Sequence, residues 1–173
     1  MRKVALKDGR EVTLRFLKAE DNDKLYEMFS SMSEKALEWS MAPYTKKDVE
    51  RWISSLPNSI ALVAEYQGNI VGWASVYKIP SPRRLGVGEL SVYLHQEFHN
   101  VGLGSAMTER LLQLAKNQKM HRIELHVVAE NKNAIRLYEK FGFRIEGIST
   151  DKYYGHDSKY HNLVTMGLIL LQP

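Results

Sequence analysis

The sequence predicts an α+β fold, a mixed sheet flanked by helices in the order β-α-α-β-β-β-α-β-α-β-β. Three observations predict it. Leu103, Met107, Leu111 and Leu114 recur at intervals of four, four and three, the apolar stripe of an amphipathic helix. Ala134, Leu137, Tyr138 and Phe141 stand at i, i+3, i+4 and i+7, a second such stripe. Two β-rich runs, residues 60–66 and 70–79, are joined by Gln67-Gly68-Asn69, a connection suited to a hairpin.

The remaining elements follow in chain order. Val12, Leu14 and Phe16 alternate with Thr13, Arg15 and Leu17, which predicts a first strand. Glu20 to Asp23 supply capping and first-turn residues for a helix whose apolar side is Leu25, Met28, Phe29 and Met32. A second helix is expected over residues 45–55, stopped by Pro57. After the hairpin, Ser81-Pro82-Arg83-Arg84 breaks the second run, and residues 87–94 form another strand that enters a glycine-containing loop. The Leu103 helix follows, then a strand over 123–128 and the Ala134 helix. Residues 145–148 and 162–171 close the chain as extended segments. No repeat, low-complexity stretch or linker divides residues 1–173, which read as a single domain.

Composition narrows the function classes. The 173 residues are 44% hydrophobic and 25% charged, the balance of a globular protein with a real core. No window approaches the roughly 18 apolar residues of a membrane span, and Asp8, Arg10 and Glu11 leave no apolar leader near Met1. Cysteine is absent, so disulfides, thiolate metal sites and a cysteine nucleophile are excluded. These features agree with a cytoplasmic protein. The six histidines show no paired ligand spacing, and no metal is expected. The net charge of +4 suits an anionic ligand as well as a nucleic acid. A nucleic-acid role lacks a basic tail, an aromatic-basic face or a recognition helix.

The stretch from Gly88 to Gly104 runs strand, loop with two glycines, helix. A helix start leaves backbone N–H groups unpartnered and carries the positive end of the helix dipole. Glycine lets such a backbone approach a phosphate closely, and N–H groups from Val101 to Ser105 are the expected donors. Alone, Gly102 and Gly104 serve a tight turn equally well. No Gly-Lys-Ser/Thr follows, so this is not a nucleotide P-loop, and the third glycine of a dinucleotide fingerprint is missing.

Two motifs then carry a resemblance. His99-Asn100-Val101-Gly102-Leu103-Gly104 resembles motif A of the GNAT acetyltransferases, Gln/Arg-x-x-Gly-x-Gly/Ala, with His99 at the Gln/Arg position and Asn100 where glycine is frequent. Asn131 to Phe143 resembles their motif B: an asparagine, an alanine three later, a tyrosine four beyond, then Gly142-Phe143. Order and separation match, so the resemblance covers essentially the whole chain. It implies a GNAT-type, mostly antiparallel sheet, acetyl-CoA as co-substrate, and transfer of the acetyl group to a primary amine by direct attack in a ternary complex. The amine is that of a small molecule, such as a polyamine or amino acid, or of a protein N-terminus. Many such proteins dimerise, and a homodimer is compatible with this sequence.

Acetyl transfer requires a neutral amine, although a lysine-type amine titrates at about 10.4. It also requires donors for the developing oxyanion and a proton for the departing thiolate. The resemblance gives Tyr138 the last role, one a phenol can fill; its spacing alone fits a core residue. Glu89, on the strand before the loop, is the general-base candidate, against a solvated carboxylate or ion-pair partner. Glu89, Ser91 and Tyr93 share one face of that strand, and Leu90, Val92 and Leu94 the other. The resemblance further implies that the pantetheine arm pairs with the backbone of Val92, Tyr93 and Leu94, where one N–H polarises the thioester carbonyl. It implies that Asn131 contacts the same arm; a helix N-cap is its other reading.

For the acceptor, the resemblance points to the loop between the first two helices and to the C-terminal hairpin. Glu34, Glu38 and Trp39 offer charge and an aromatic face to a cationic amine. Tyr153, Tyr154 and Tyr160 offer walls. Lys116, Lys119, Lys132, Arg136 and Lys140 cluster near the expected mouth, where they could meet the 3′-phosphate of CoA. The alternative function is a non-catalytic acyl-CoA-binding sensor, which the departures at His99 and Asn100 keep in view.

Overall fold

The computed structural model describes residues Met1 to Leu171. β1 (Arg2–Ala5), β2 (Glu11–Phe16), β3 (Ser59–Tyr66), β4 (Asn69–Lys78), β5 (Val87–Leu94), β6 (Arg122–Val128), β7 (Arg144–Tyr154) and β8 (Tyr160–Ile169) form one sheet. Their spatial order is β1-β2-β3-β4-β5-β6-β8-β7. Neighbours are antiparallel except β5 and β6, which are parallel. The helices are α1 (Asn22–Ser30), α2 (Glu34–Leu37), α3 (Lys46–Ser54), α4 (Leu103–Asn117) and α5 (Lys132–Lys140).

The sheet is covered on both faces. Ile60, Leu62 and Ala64 of β3 join the core beneath α4 and α5, whereas Ala61 and Val63 join the core beneath α1 and α3. A strand buried on both sides loses the alternation of a half-exposed one, which explains the nearly unbroken apolar run of β3. Leu103, Met107 and Leu111 of α4 are fully buried, as their spacing predicts. Thr45 and Asp48 close a reciprocal capping box that starts α3: the Asp48 carboxylate accepts from the Thr45 N–H at 2.8 Å. Gly88 is a packing requirement, because an added Cβ would lie 2.5 Å from Val76 Cγ1 and from Met120 Cε. No helix among the described residues is long and apolar enough to cross a membrane.

The sheet and the main helices match expectation; four details differ. β1 is an edge strand whose residues, exposed apart from half-buried Val4, show no apolar alternation. Residues 34–37, read as loop, make one helical turn because the Ser33 hydroxyl accepts from Ala36 N–H at 3.2 Å. β7 continues past Ile148 to Tyr154, and β8 begins and ends two residues earlier than the expected 162–171. The observed order is therefore β-β-α-α-α-β-β-β-α-β-α-β-β.

Candidate active site

The pairing of β5 with β6 runs only from Val87–Arg122 to Glu89–Glu124. Beyond it the two strands are held apart by their outer partners. β5 stays on β4 through Gly72–Leu94, and His95 N–H donates to Val71 O at 3.0 Å. β6 stays on β8 through Val128–Leu163, and Ala129 N–H donates to Asn162 O at 2.9 Å. The result is a V-shaped gap with free strand edges in the middle of the sheet. It opens into a cavity of about 800 Å³ bounded by the end of β5, the glycine loop, α5 and residues 38–40.

At one wall, the loop presents backbone donors. Gly102 is the N-cap of α4 at φ +92°, a conformation that disfavours a Cβ. Asn100 is also left-handed, at φ +61°, which asparagine tolerates. Among the described residues, the N–H groups from Asn100 to Ser105 find no backbone acceptor, and intrahelical bonding begins with Ala106 N–H to Gly102 O at 3.1 Å. Gly104 packs rather than turns: a Cβ there would touch Leu94 Cδ1 at 3.4 Å and Leu137 Cδ2 at 3.5 Å. The His99 Nε2 lies 2.9 Å from Leu94 O; a carbonyl only accepts, so this nitrogen carries the proton.

The opposite wall is α5. Tyr138 is 7% exposed, lines the cavity and packs edge-to-face on Phe143 with centroids 5.7 Å apart. Burial pushes its phenol up to about 12, so it is neutral at physiological pH. Asn131 lines the cavity and caps α5, its Oδ1 accepting from Ala134 N–H at 3.2 Å.

Val92, Tyr93, Leu94, His99, Asn100, Gly102, Gly104, Ser105 and Asn131 all line the cavity. Val101 and Leu103 do not: Leu103 is wholly buried and Val101 packs on the core, so only their backbones face the loop. Lys132 and Arg136 are at the mouth, whereas Lys116, Lys119 and Lys140 lie outside the lining.

The two catalytic candidates are not brought together. Glu89 sits where β5 is still paired and turns to the α3 face. There it lines a separate cavity of about 300 Å³ with Trp52, Ser75, Tyr77 and Ser91. Glu89 therefore faces the second cavity and is not part of the lining that Tyr138 shares.

Of the acceptor candidates, Glu38 and Trp39 line the main cavity, and Glu34 is exposed outside it. Tyr154 is a correction. It is 61% exposed and packs on Tyr160 at the surface, while Tyr153 turns inward. The Tyr153 hydroxyl bonds Ser40 O at 2.8 Å and Glu38 O at 3.0 Å, fixing the segment that carries Trp39.

Sequence reasoning missed three contributors. Lys7, from the β1–β2 turn, and Glu130, beside Asn131, both line the cavity. His161 bonds Asp157 at 2.9 Å, has Glu130 at 3.3 Å from its other nitrogen, and meets the Trp39 ring edge-on at 5.2 Å. The Asp157 hydrogen bond, reinforced by Glu130, raises the imidazole above its ordinary value. No local motif announces these three, because each comes from a different element.

Comparison with known proteins supports this geometry. Residues 22–143 match the model of the acetyltransferase (GNAT) family. The chain is 33% identical over 103 residues to the L-amino acid N-acetyltransferase AaaT of Escherichia coli, covering 59% of this chain and 62% of that one. It is 27% identical to a putative phosphinothricin acetyltransferase YwnH of Bacillus subtilis, over 79% of this chain and 86% of that one. The fold superposes with a TM-score of 0.81 on yncA, a putative acetyltransferase from Salmonella typhimurium solved with acetyl-CoA, at 22% identity over 94% of this chain and 95% of that one. A family model matched over most of the sequence, on a fold that opens the sheet beside a glycine-loop helix, places this chain in the GNAT acetyltransferase family.

Proposed function

We propose that the protein transfers an acetyl group from acetyl-CoA to a primary amine of a small molecule, with an amino acid or a polyamine as the favoured class. One observation carries the reading. A single cavity joins a row of unpartnered N–H groups, Asn100 to Ser105, to a buried neutral phenol, Tyr138. The N–H row and the positive end of α4 fit a diphosphate, and the free edge of β5 from Val92 to Leu94 fits an amide-bearing arm. Acetyl-CoA bound there supplies the activated thioester.

The chain's own groups do the rest. A β5 backbone N–H facing the gap polarises the carbonyl, and Tyr138 holds a proton for the leaving sulfur. Asn131 orients α5 against the arm. Glu38 and Glu130 are the carboxylates that line the cavity and draw an ammonium toward Trp39. Glu89, which lines the second cavity, serves as base only through a water path that links that cavity to the amine. The cavity runs without a break from the glycine loop to Trp39 and Glu38, which supports direct attack in a ternary complex. Kinship with an amino-acid acetyltransferase, covering 62% of that relative, supports the acceptor class.

The test is thiol release from acetyl-CoA against amino acids, polyamines, aminoglycosides and N-terminal peptides. Release with one amine class, confirmed by mass of the acetylated product, establishes the activity. CoA binding without release from any amine would leave an acceptor outside this panel or a sensor role.

A further inference from the structure

His99 stands where the motif carries arginine or glutamine, yet its Nε2 proton is committed to Leu94 O. Its Nε2 donor is therefore taken by the protein, and only Nδ1 is left to face a ligand. A lysine from the opposite end of the chain stands beside the loop. β1 and β2 are joined by a tight turn in which Leu6 N–H donates to Arg10 O at 2.8 Å and Gly9 sits at φ +88°. This turn is fastened to the glycine loop at two points. Lys7 N–H donates to Val101 O at 3.0 Å. The Arg10 guanidinium donates to Glu97 O at 2.6 Å and stands 3.9 Å from the centroid of the Phe98 ring.

The fastening lays the Lys7 side chain across Gly102. A Cβ on that glycine would be 3.8 Å from both Cγ and Cε of Lys7, so the stem runs along the open side of the N-cap. Lys7 lines the cavity beside Asn100 and Gly102. Its neighbours already hold carboxylates, Lys3 with Glu11 at 2.8 Å and Arg10 with Asp8 at 2.6 Å. Lys7 has no carboxylate partner among the described residues. An unpaired ammonium beside unpaired N–H groups at a helix N-terminus recognises a phosphate by point charge and amide donors together.

We propose that the β1–β2 turn is part of the diphosphate site, with Lys7 supplying a cation beside the N–H row. The inference rests on the reading that the cavity binds CoA. Lys7 belongs to the ligand-binding set, and Arg10 is a positioning residue that holds the turn on the loop.

The experiment is calorimetric titration of the full chain with CoA, at about 50 mM and about 300 mM NaCl, for wild type, Lys7→Met, Lys7→Arg and the control Lys47→Met. Lys47 is exposed on α3, away from the cavity, and its substitution removes the same net charge. Lys7→Met is expected to bind CoA about five- to tenfold more weakly at low salt, the scale of a charge-assisted bond in a solvated site. Its affinity should also depend less on salt. Lys7→Arg should stay within about twofold of wild type, and so should Lys47→Met. Wild type that binds CoA alongside an equally tight Lys7→Met overturns the lysine assignment alone. Equal weakening by Lys47→Met overturns it as well, since bulk charge would then explain the effect. Wild type that binds no CoA overturns the reading beneath it.

Discussion

Removing the Tyr138 hydroxyl is the sharpest test of the proposed chemistry, and the structure sets its size. The phenol is pushed up to about 12 by burial, about 3.5 pH units above the roughly 8.5 of an ordinary thiol. Complete proton transfer from such a phenol to an unperturbed thiolate would be uphill by about 5 kcal/mol at about 1.36 kcal/mol per unit. Tyr138 therefore serves the leaving sulfur first as a hydrogen-bond donor to developing charge, with the proton following as the thiolate departs. A hydrogen bond to a charged partner is worth about 1.5–3 kcal/mol, which corresponds to a loss of roughly 10- to 150-fold in kcat for Tyr138→Phe.

The same geometry bounds the side effects. The hydroxyl has no protein hydrogen-bond partner among the described residues, and the ring's contact with Phe143 survives in phenylalanine. Stability should change by less than about 0.5 kcal/mol. CoA affinity should hold within about twofold, because the N–H row is untouched. Stopped assays of thiol release at saturating amine, with calorimetry of CoA binding and a thermal melt on the same preparation, separate these quantities. An unchanged kcat refutes the donor role. A collapse of CoA binding would mean that Tyr138 holds the wall of the cavity instead.

The other perturbations probe the remaining parts of the molecule. Glu89→Gln should lower turnover mainly on the acid side of the pH profile, where the amine most needs deprotonating; a superimposable profile removes Glu89 from the base role. His161 is held protonated by Asp157, then by Glu130, so its contribution is complete below about 6.5 and fades as pH rises through its raised value. The melting temperature of wild type should therefore fall more steeply than that of His161→Asn as pH climbs toward 9, and parallel curves would refute a stabilising pairing of His161 with Asp157 and Glu130. Gly88→Ala should cost about 1–3 kcal/mol in urea unfolding, because the added Cβ meets Val76 and Met120 at 2.5 Å. A neutral result would show that β5 shifts freely.

What the sequence disclosed follows from where the information resides. α4 and α5 bury stripes whose period is written in the chain, and β3 to β5 carry dense β-formers, so these elements were legible. β1 was not, since Arg2 to Ala5 pack little and are held by pairing with β2. β7 shows the same limit with a consequence. Its register with β8 shifts between Ile145 and Gly147 and again between Ser149 and Tyr153, so a simple alternation cannot be carried along the strand. Tyr153 is buried because its hydroxyl meets the carbonyls of Glu38 and Ser40, a contact from a distant segment, and Tyr154 faces solvent. The glycine loop could be read because its chemistry is backbone chemistry fixed by a local pattern. The acceptor walls could not, because Trp39, Glu130 and His161 meet only after three separate segments fold together.

The two departures from the loop motif bear on whether the loop keeps its donors in place, and their geometry shows how the turn is held. Asn100, where glycine is frequent in the motif, takes the left-handed conformation at φ +61° that glycine and asparagine both tolerate. His99 ties the loop to the last carbonyl of β5, at the strand edge where the gap opens. Both substitutions conserve the cradle by other means. Neither touches Tyr138, whose neutral phenol lines the same cavity without a protein partner among the described residues, so the group that can serve a leaving sulfur stays in place beside the loop.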